Sequence, residues 1–134
     1  MRCLIVDDEV FTRELVAAQL AGMAECEGAA GGEEAIAKFT AALTGNNPFD
    51  LVLMDIVMPE MNGHETAKAI RSVEKEKGVE GGKGVKIVML TALNTVEAAM
   101  ESFCSAQSAA YIVKPVSKEK LHGTISKLGL LRRQ

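Results

Sequence analysis

Leu51-Val52-Leu53-Met54-Asp55-Ile56-Val57-Met58-Pro59-Glu60-Met61-Asn62-Gly63 is the stretch that decides how this chain folds. Its first four residues form an unbroken apolar run. That is the pattern of a strand covered on both faces, since a strand with one wet face alternates polar and apolar residues. The run stops at a carboxylate, and Pro59 and Gly63 then turn the chain into a helical segment from about 64 to 76. A buried strand that ends in an acid and leads into a helix is one βα unit, and a parallel sheet needs several.

The rest of the chain supplies them. Cys3-Leu4-Ile5-Val6 is a second short apolar run, stopped by Asp7-Asp8, and Phe11, Leu15, Ala18 and Gly22 then share one helical face. Residues 24 to 30 read as a weaker strand. Gly31-Gly32 breaks the chain before a helix whose inward stripe is Ile36, Phe39 and Leu43, and Gly45-Asn46-Asn47-Pro48 closes it. Val85 to Leu90 is a fourth strand, 95 to 104 a fourth helix and Ala109 to Val113 a fifth strand. A last helix from near Ser117 turns Leu121, Ile125 and Leu128 inward. Five strands alternating with five helices predict an α/β fold, a doubly wound parallel sheet with helices on both faces. The glycine-rich link at 77 to 84 lacks the Lys-Ser/Thr ending and preceding strand of a phosphate-binding loop.

A length of 134 residues predicts a single domain spanning 1–134 without an output domain. With 48% apolar and 25% charged residues the composition is that of an ordinary globular chain. The net charge of −3 argues against a partner held by phosphate charge, so direct DNA binding is not expected. No apolar run reaches the length of a membrane span, and the three cysteines, Cys3, Cys26 and Cys104, lack metal or disulfide-framework spacing. They read as small buried residues in a reducing cytoplasm, the expected location. The total charge hides an asymmetry: residues 1 to 60 carry 3 basic and 11 acidic side chains, a balance of −8, against +5 in the remainder.

Part of that acidity collects in one place. In open parallel sheets, ligands bind beyond the carboxyl ends of the strands. Those ends carry Asp7-Asp8, Asp55, Thr91 and Lys114-Pro115. Three carboxylates kept ionised side by side require cations, and Mg²⁺, which takes oxygen ligands, together with Lys114 meets that need. Taken singly, Asp55 reads as a turn or cap residue, Asp8-Glu9 as favourable charge at a helix N-terminus, and Tyr111 as a half-buried strand residue. His64 and His122 read as surface residues, Met54, Met58 and Met61 as packing, and the Lys118, Lys120, Lys127, Arg132 and Arg133 group as a solvated face.

Taken together, Leu4-Ile5-Val6-Asp7-Asp8-Glu9, Leu53-Met54-Asp55 through Gly63, Met89-Leu90-Thr91-Ala92 and Tyr111-Ile112-Val113-Lys114-Pro115 resemble a two-component response regulator receiver domain of the stand-alone, chemotaxis type. The resemblance implies a flavodoxin-like sheet of strand order 2-1-3-4-5. It implies phosphorylation of Asp55 by a sensor histidine kinase or histidine phosphotransfer protein, without separate enzymatic turnover. It further implies that Asp8, Asp55 and the Val57 backbone carbonyl ligate Mg²⁺, with Asp7 acting through a water. By the same resemblance Thr91 and Lys114 hold the phosphoryl oxygens. Thr91 and Tyr111 would switch the face formed by the fourth helix, fifth strand and fifth helix, where a downstream protein binds. A cis Lys114-Pro115 peptide is also expected.

Two departures from the family pattern stand out. Val57 and Leu93 are apolar where many members carry polar groups that influence the hydrolytic water, which predicts slow loss of the phosphoryl group. Gln107-Ser108-Ala109-Ala110 lacks the glycine usual before the fifth strand. The contending readings are an aspartyl-phosphate phosphohydrolase of the haloacid dehalogenase type and a receiver-like scaffold that is never phosphorylated. The former expects an Asp two residues after the nucleophile, where this chain has Val57.

Overall fold

The computed structural model describes residues 1–79, 84–92 and 109–130. Along the chain lie β1 (Arg2–Val6), α1 (Val10–Gln19), β2 (Glu25–Ala29), α2 (Gly32–Thr44), β3 (Leu51–Asp55), α3 (Gly63–Glu76), β4 (Lys86–Thr91), β5 (Ala110–Val113) and α4 (Lys118–Lys127). The helix expected over 95 to 104, Leu93, Gln107-Ser108 and the middle of the 77 to 84 link lie outside the described residues. Four helices are therefore described where five are expected. None of them is long and apolar enough to cross a membrane.

The five strands form one parallel sheet of order β2-β1-β3-β4-β5. The order reverses between β1 and β3, where Cys3 pairs with Leu51 and Val6 with Met54. Every residue of β3 is buried, as its unbroken apolar run requires. Alternate strand residues serve two cores. Leu4, Val6, Val52, Met54, Ile87 and Met89 pack under α2 and α3 with Phe39, Ala67 and Ile70. Ile5, Leu51, Leu53, Val88 and Leu90 pack under α1 and α4 with Val16, Leu20, Leu121 and Ile125. Each fully buried aliphatic side chain contributes about 2 kcal/mol before the entropy of ordering is counted.

The face that the apolar stripe of α1 shares is the outer one. Phe11 and Leu15 of α1 are 73% and 42% exposed, Ala18 and Gly22 also face solvent, and the buried residues are Val16 and Leu20. Two apolar stripes run along this helix, and periodicity alone does not choose between them. The connections do. Leu20 must turn the chain through Met23 and Ala24 so that Glu25 N–H reaches the Met1 carbonyl at 2.8 Å and opens β2 beside β1. In that return Leu20 faces the sheet, and Val16, one turn earlier, goes with it.

The last helix follows its expected pattern: Ser117 caps α4 by accepting the Lys120 N–H, and Leu121 and Ile125 are buried, with Leu128 partly so. Met54 and Met58 are core residues, and Met61 packs where a Cβ at Gly32 would collide with its sulfur at 2.6 Å. His122 is not a simple surface residue, because its Nε2 lies 3.3 Å from the Gln19 carbonyl and links α4 to α1.

Candidate functional site

The carboxyl ends of β1, β3, β4 and β5 meet on one rim of the sheet. At the end of β1, Asp7 is fully buried. Its N–H donates to the Ala29 carbonyl at 3.1 Å, its Oδ1 accepts the Glu9 N–H at 2.9 Å, and its carbonyl accepts from Arg13 Nη1 at 2.6 Å. Asp8, the next residue, is exposed. The first turn of α1 thus fixes the Asp7 carboxylate, while Asp8 projects from the rim.

Asp55 ends β3 at 8% exposure. The chain beyond it folds back tightly. Met61 N–H donates to the Pro59 carbonyl at 2.7 Å across Glu60, whose φ is 68°, the γ-turn geometry that strains a residue with a Cβ. Asn62 and Glu65 then cap α3 reciprocally, each side chain accepting the other's backbone N–H at 2.9 Å. Gly63 N–H donates to the Ile56 carbonyl at 2.8 Å. A Cβ on Gly63 would lie 2.6 Å from the Asp55 carbonyl oxygen, so glycine lets α3 start directly against the end of β3. The motif that opened the reading is therefore the brace of the Asp55 backbone.

Thr91 ends β4 at 2% exposure, and its carbonyl accepts the Lys114 N–H at 2.7 Å. The Lys114-Pro115 peptide is cis. Lys114 Nζ lies 3.3 Å from Asp7 Oδ2 and 3.4 Å from Asp55 Oδ2, so one ammonium bridges two carboxylates from different strands. Carboxylate oxygens of Asp7, Asp8 and Asp55 all fall within 4.8 Å of one another.

Electrostatics make this site short of positive charge. Burial raises the Asp55 carboxyl above the ordinary aspartate range. Lys114 opposes that rise, Asp7 adds to it, and the Val57 N–H, which bonds the carboxylate, holds it back. Burial disfavours a charged Lys114, yet Asp55 and Asp7 outweigh it and raise its affinity for the proton. One ammonium faces three carboxylates, and Asp55 still resists ionisation. A divalent cation among three carboxylate oxygens would relieve that deficit, and an oxygen-only donor set is the kind Mg²⁺ takes.

The structure thus brings Asp7, Asp8, Asp55 and Lys114 together and puts Thr91 at the neighbouring strand end. Val57 is 71% exposed just past Asp55. Tyr111 is half-buried on the α2/α3 side of the sheet, opposite Met89 in the β4–β5 register. Sequence reasoning missed Arg13, which braces the Asp7 backbone; a single basic residue on a helix carries no such signal. It also did not show that the apolar strip of Val10, Phe11 and Leu15 is exposed, because periodicity gives a shared face and not its direction.

A doubly wound parallel sheet with an acid cluster and a lysine at the carboxyl ends of its strands defines a class of small α/β proteins with a carboxylate site that can hold a cation. The chain belongs to the response regulator receiver domain family, which it matches over residues 3–126. It is 33% identical over 134 residues to the two-component response regulator ORR41 of Oryza sativa subsp. japonica, a match covering 97% of this chain and 95% of that protein. It is 39% identical over 88 residues to histidine kinase CKI1 of Arabidopsis thaliana, covering 58% of this chain but only 8% of that much longer kinase. Among solved structures, the CKI1 receiver domain complexed with Mg²⁺ and BeF3⁻ superposes with a TM-score of 0.79 at 30% identity, covering 96% of this chain and 89% of that one. The chemotaxis response regulator CheY4 of Vibrio cholerae does so with a TM-score of 0.76 at 31% identity, covering 94% and 96%.

Proposed function

We propose that this protein is a phosphorylation-dependent switch whose phosphoacceptor is Asp55. In this reading the Asp55 carboxylate attacks the phosphorus of a phosphohistidine on a sensor histidine kinase or histidine phosphotransfer protein. The new bond is O–P, the P–N bond breaks, and the imidazole leaves. Asp8, Asp55 and the Val57 carbonyl would hold Mg²⁺, with Asp7 supporting it. When bound there, the cation would supply neutralisation of the phosphoryl charge. Lys114, already 3.4 Å from Asp55, moves its ion pair onto a phosphoryl oxygen, and the Thr91 hydroxyl takes another.

The observation that carries this reading is the grouping of three carboxylates within 4.8 Å, with Lys114 bridging two of them. The complex of the CKI1 receiver with Mg²⁺ and BeF3⁻ supports it, since beryllofluoride on an aspartate mimics a phosphoryl group. Output follows from protein contacts around β5 and α4, with Thr91 and Tyr111 as the switching pair, in a cytoplasmic setting and without direct DNA binding. An apolar strip of Phe11 and Leu15, with Val57 near Asp55, suits docking by a protein phosphodonor.

Acetyl phosphate with Mg²⁺ tests the reading. One hydroxylamine-labile phosphoryl group per chain is expected, absent in Asp55→Asn. Continuous phosphate release by the wild type would point to a phosphohydrolase, and an unmodified chain to a scaffold.

A further inference from the structure

Away from the phosphoacceptor rim, β1 and β2 bring two of the three cysteines face to face. Cys3 and Cys26 are direct partners in the parallel register. Both side chains lie on the α1/α4 side of the sheet, Cys3 in the core and Cys26 packed against its edge. Cys3 is fully buried, Cys26 is half-buried, and both are free thiols. Neighbouring strands lie about 4.8 Å apart, inside the range of about 4.4 to 6.8 Å that a disulfide spans between Cα atoms.

We propose that Cys3 and Cys26 form a paired thiol site that a hydroperoxide oxidises reversibly to a disulfide. The division of labour follows from their placement. Cys26 sits on the edge strand with partial access to solvent, and Cys3 lies behind it. The neighbouring Cys26 sulfur raises the Cys3 thiol well above its ordinary range, and burial adds to this; Cys3 in turn lowers the Cys26 thiol, against the latter's own burial. Cys26 is thus the attacking sulfur and Cys3 the resolving one.

In the first step the Cys26 thiolate attacks one peroxide oxygen. The S–O bond forms, the O–O bond breaks, and hydroxide leaves to take up a proton, giving a sulfenic acid and water. In the second step the Cys3 sulfur attacks the Cys26 sulfur and yields its proton. The S–S bond forms, the S–O bond breaks, and a second water leaves. Two thiols are oxidised by two electrons in all, and one hydroperoxide is reduced. In-register parallel partners hold their Cβ atoms near the strand spacing, wider than the roughly 3.8 Å a relaxed disulfide prefers. The bond is therefore strained, and thiols reduce it readily. Intracellular disulfides of this kind serve sensing rather than stability.

The test uses the full chain carrying Cys104→Ser, so that only these two thiols remain. Stoichiometric hydrogen peroxide at neutral pH is expected to give a monomer two hydrogens lighter, with a Cys3–Cys26 linked peptide that dithiothreitol removes. Cys3→Ala in the same background is expected to leave a dimedone-reactive sulfenic acid on Cys26. Cys26→Ser is expected to leave Cys3 unreacted. The native chain should link at least about tenfold faster than the chain in urea, because pairing and thiolate character both depend on the fold. Failure to form the linked peptide, linkage only between chains, or linkage no faster in the native chain than in urea would overturn the proposal. None of these readouts passes through Asp55, so the phosphoacceptor reading stands or falls separately.

Discussion

Asp55 is held as a carboxylate that its surroundings do not fully want. Its proton affinity in the fold is raised by burial and by Asp7, against the pull of Lys114. A group whose pKa rises on folding contributes stability that is fully present below its unfolded pKa and is lost as pH rises through the folded value. At neutral pH the ionised carboxylate therefore costs stability. Asp55→Asn should raise the melting temperature of the metal-free protein by a few degrees, an effect of order 1 kcal/mol. It should also shrink the stabilisation that Mg²⁺ gives the wild type, because a ligand stabilises only through the groups that bind it. Thermal scans with and without Mg²⁺ check both; a lower melting temperature in Asp55→Asn would contradict the charge argument. On the proposed phosphoacceptor role, Val57 bears on the lifetime of the phosphoryl group. It is 71% exposed beside Asp55 and has no polar atom on its side chain to orient a water. Installing polar groups by Val57→Asn with Leu93→Glu should speed phosphoryl loss by about tenfold or more in a decay assay.

At the scale of elements, the site depends on how α3 is anchored at both ends. Its N-terminus is fixed by the Asn62–Glu65 capping box, and Asn62→Ala should cost about 1 kcal/mol. At the other end lies Glu74, at 5% exposure. Its Oε2 accepts the Val85 N–H at 2.6 Å and its Oε1 pairs with Arg71 Nη1 at 2.7 Å, tying α3 to the entry of β4. Glu74→Ala leaves the Val85 N–H unmatched and should cost about 1 to 3 kcal/mol, read as a lower urea midpoint at unchanged slope. No helical periodicity reports Glu74, since a glutamate late in a helix reads as solvated charge. The same limit explains α1. Its existence was legible in the alternation of runs and stripes, but which stripe faced inward depended on the return through Leu20 to Glu25, a tertiary constraint. By contrast β3 and the rim acids were legible because an unbroken apolar run has one setting and a strand's last residue has one place to go. Lys114 and Thr91 could be placed on that rim for the same reason, whereas the distance from Lys114 to two carboxylates could not.

At the scale of the whole molecule, the rotation of α1 leaves apolar surface beside the rim. Phe11 at 73% and Leu15 at 42% exposure lie on the outer face of the helix whose N-terminus follows Asp8. Val57, at 71%, follows Asp55 on the adjoining strand end. On the proposed phosphoacceptor role, exposed apolar groups on elements that end at the rim are better explained by a protein that covers them during transfer than by the fold. The consequence separates chemistry from docking. Phe11→Asp with Leu15→Asp removes no fully buried side chain, so stability should change by about 1 kcal/mol per site or less. Labelling by acetyl phosphate, which needs only the rim residues, should keep its wild-type rate. Transfer from a phosphorylated histidine phosphotransfer protein should fall about tenfold or more, because losing two central apolar anchors weakens docking by at least about 1.4 kcal/mol. Equal loss with both donors would place the defect in the site itself. Unchanged transfer from the protein donor would move the docking surface away from α1.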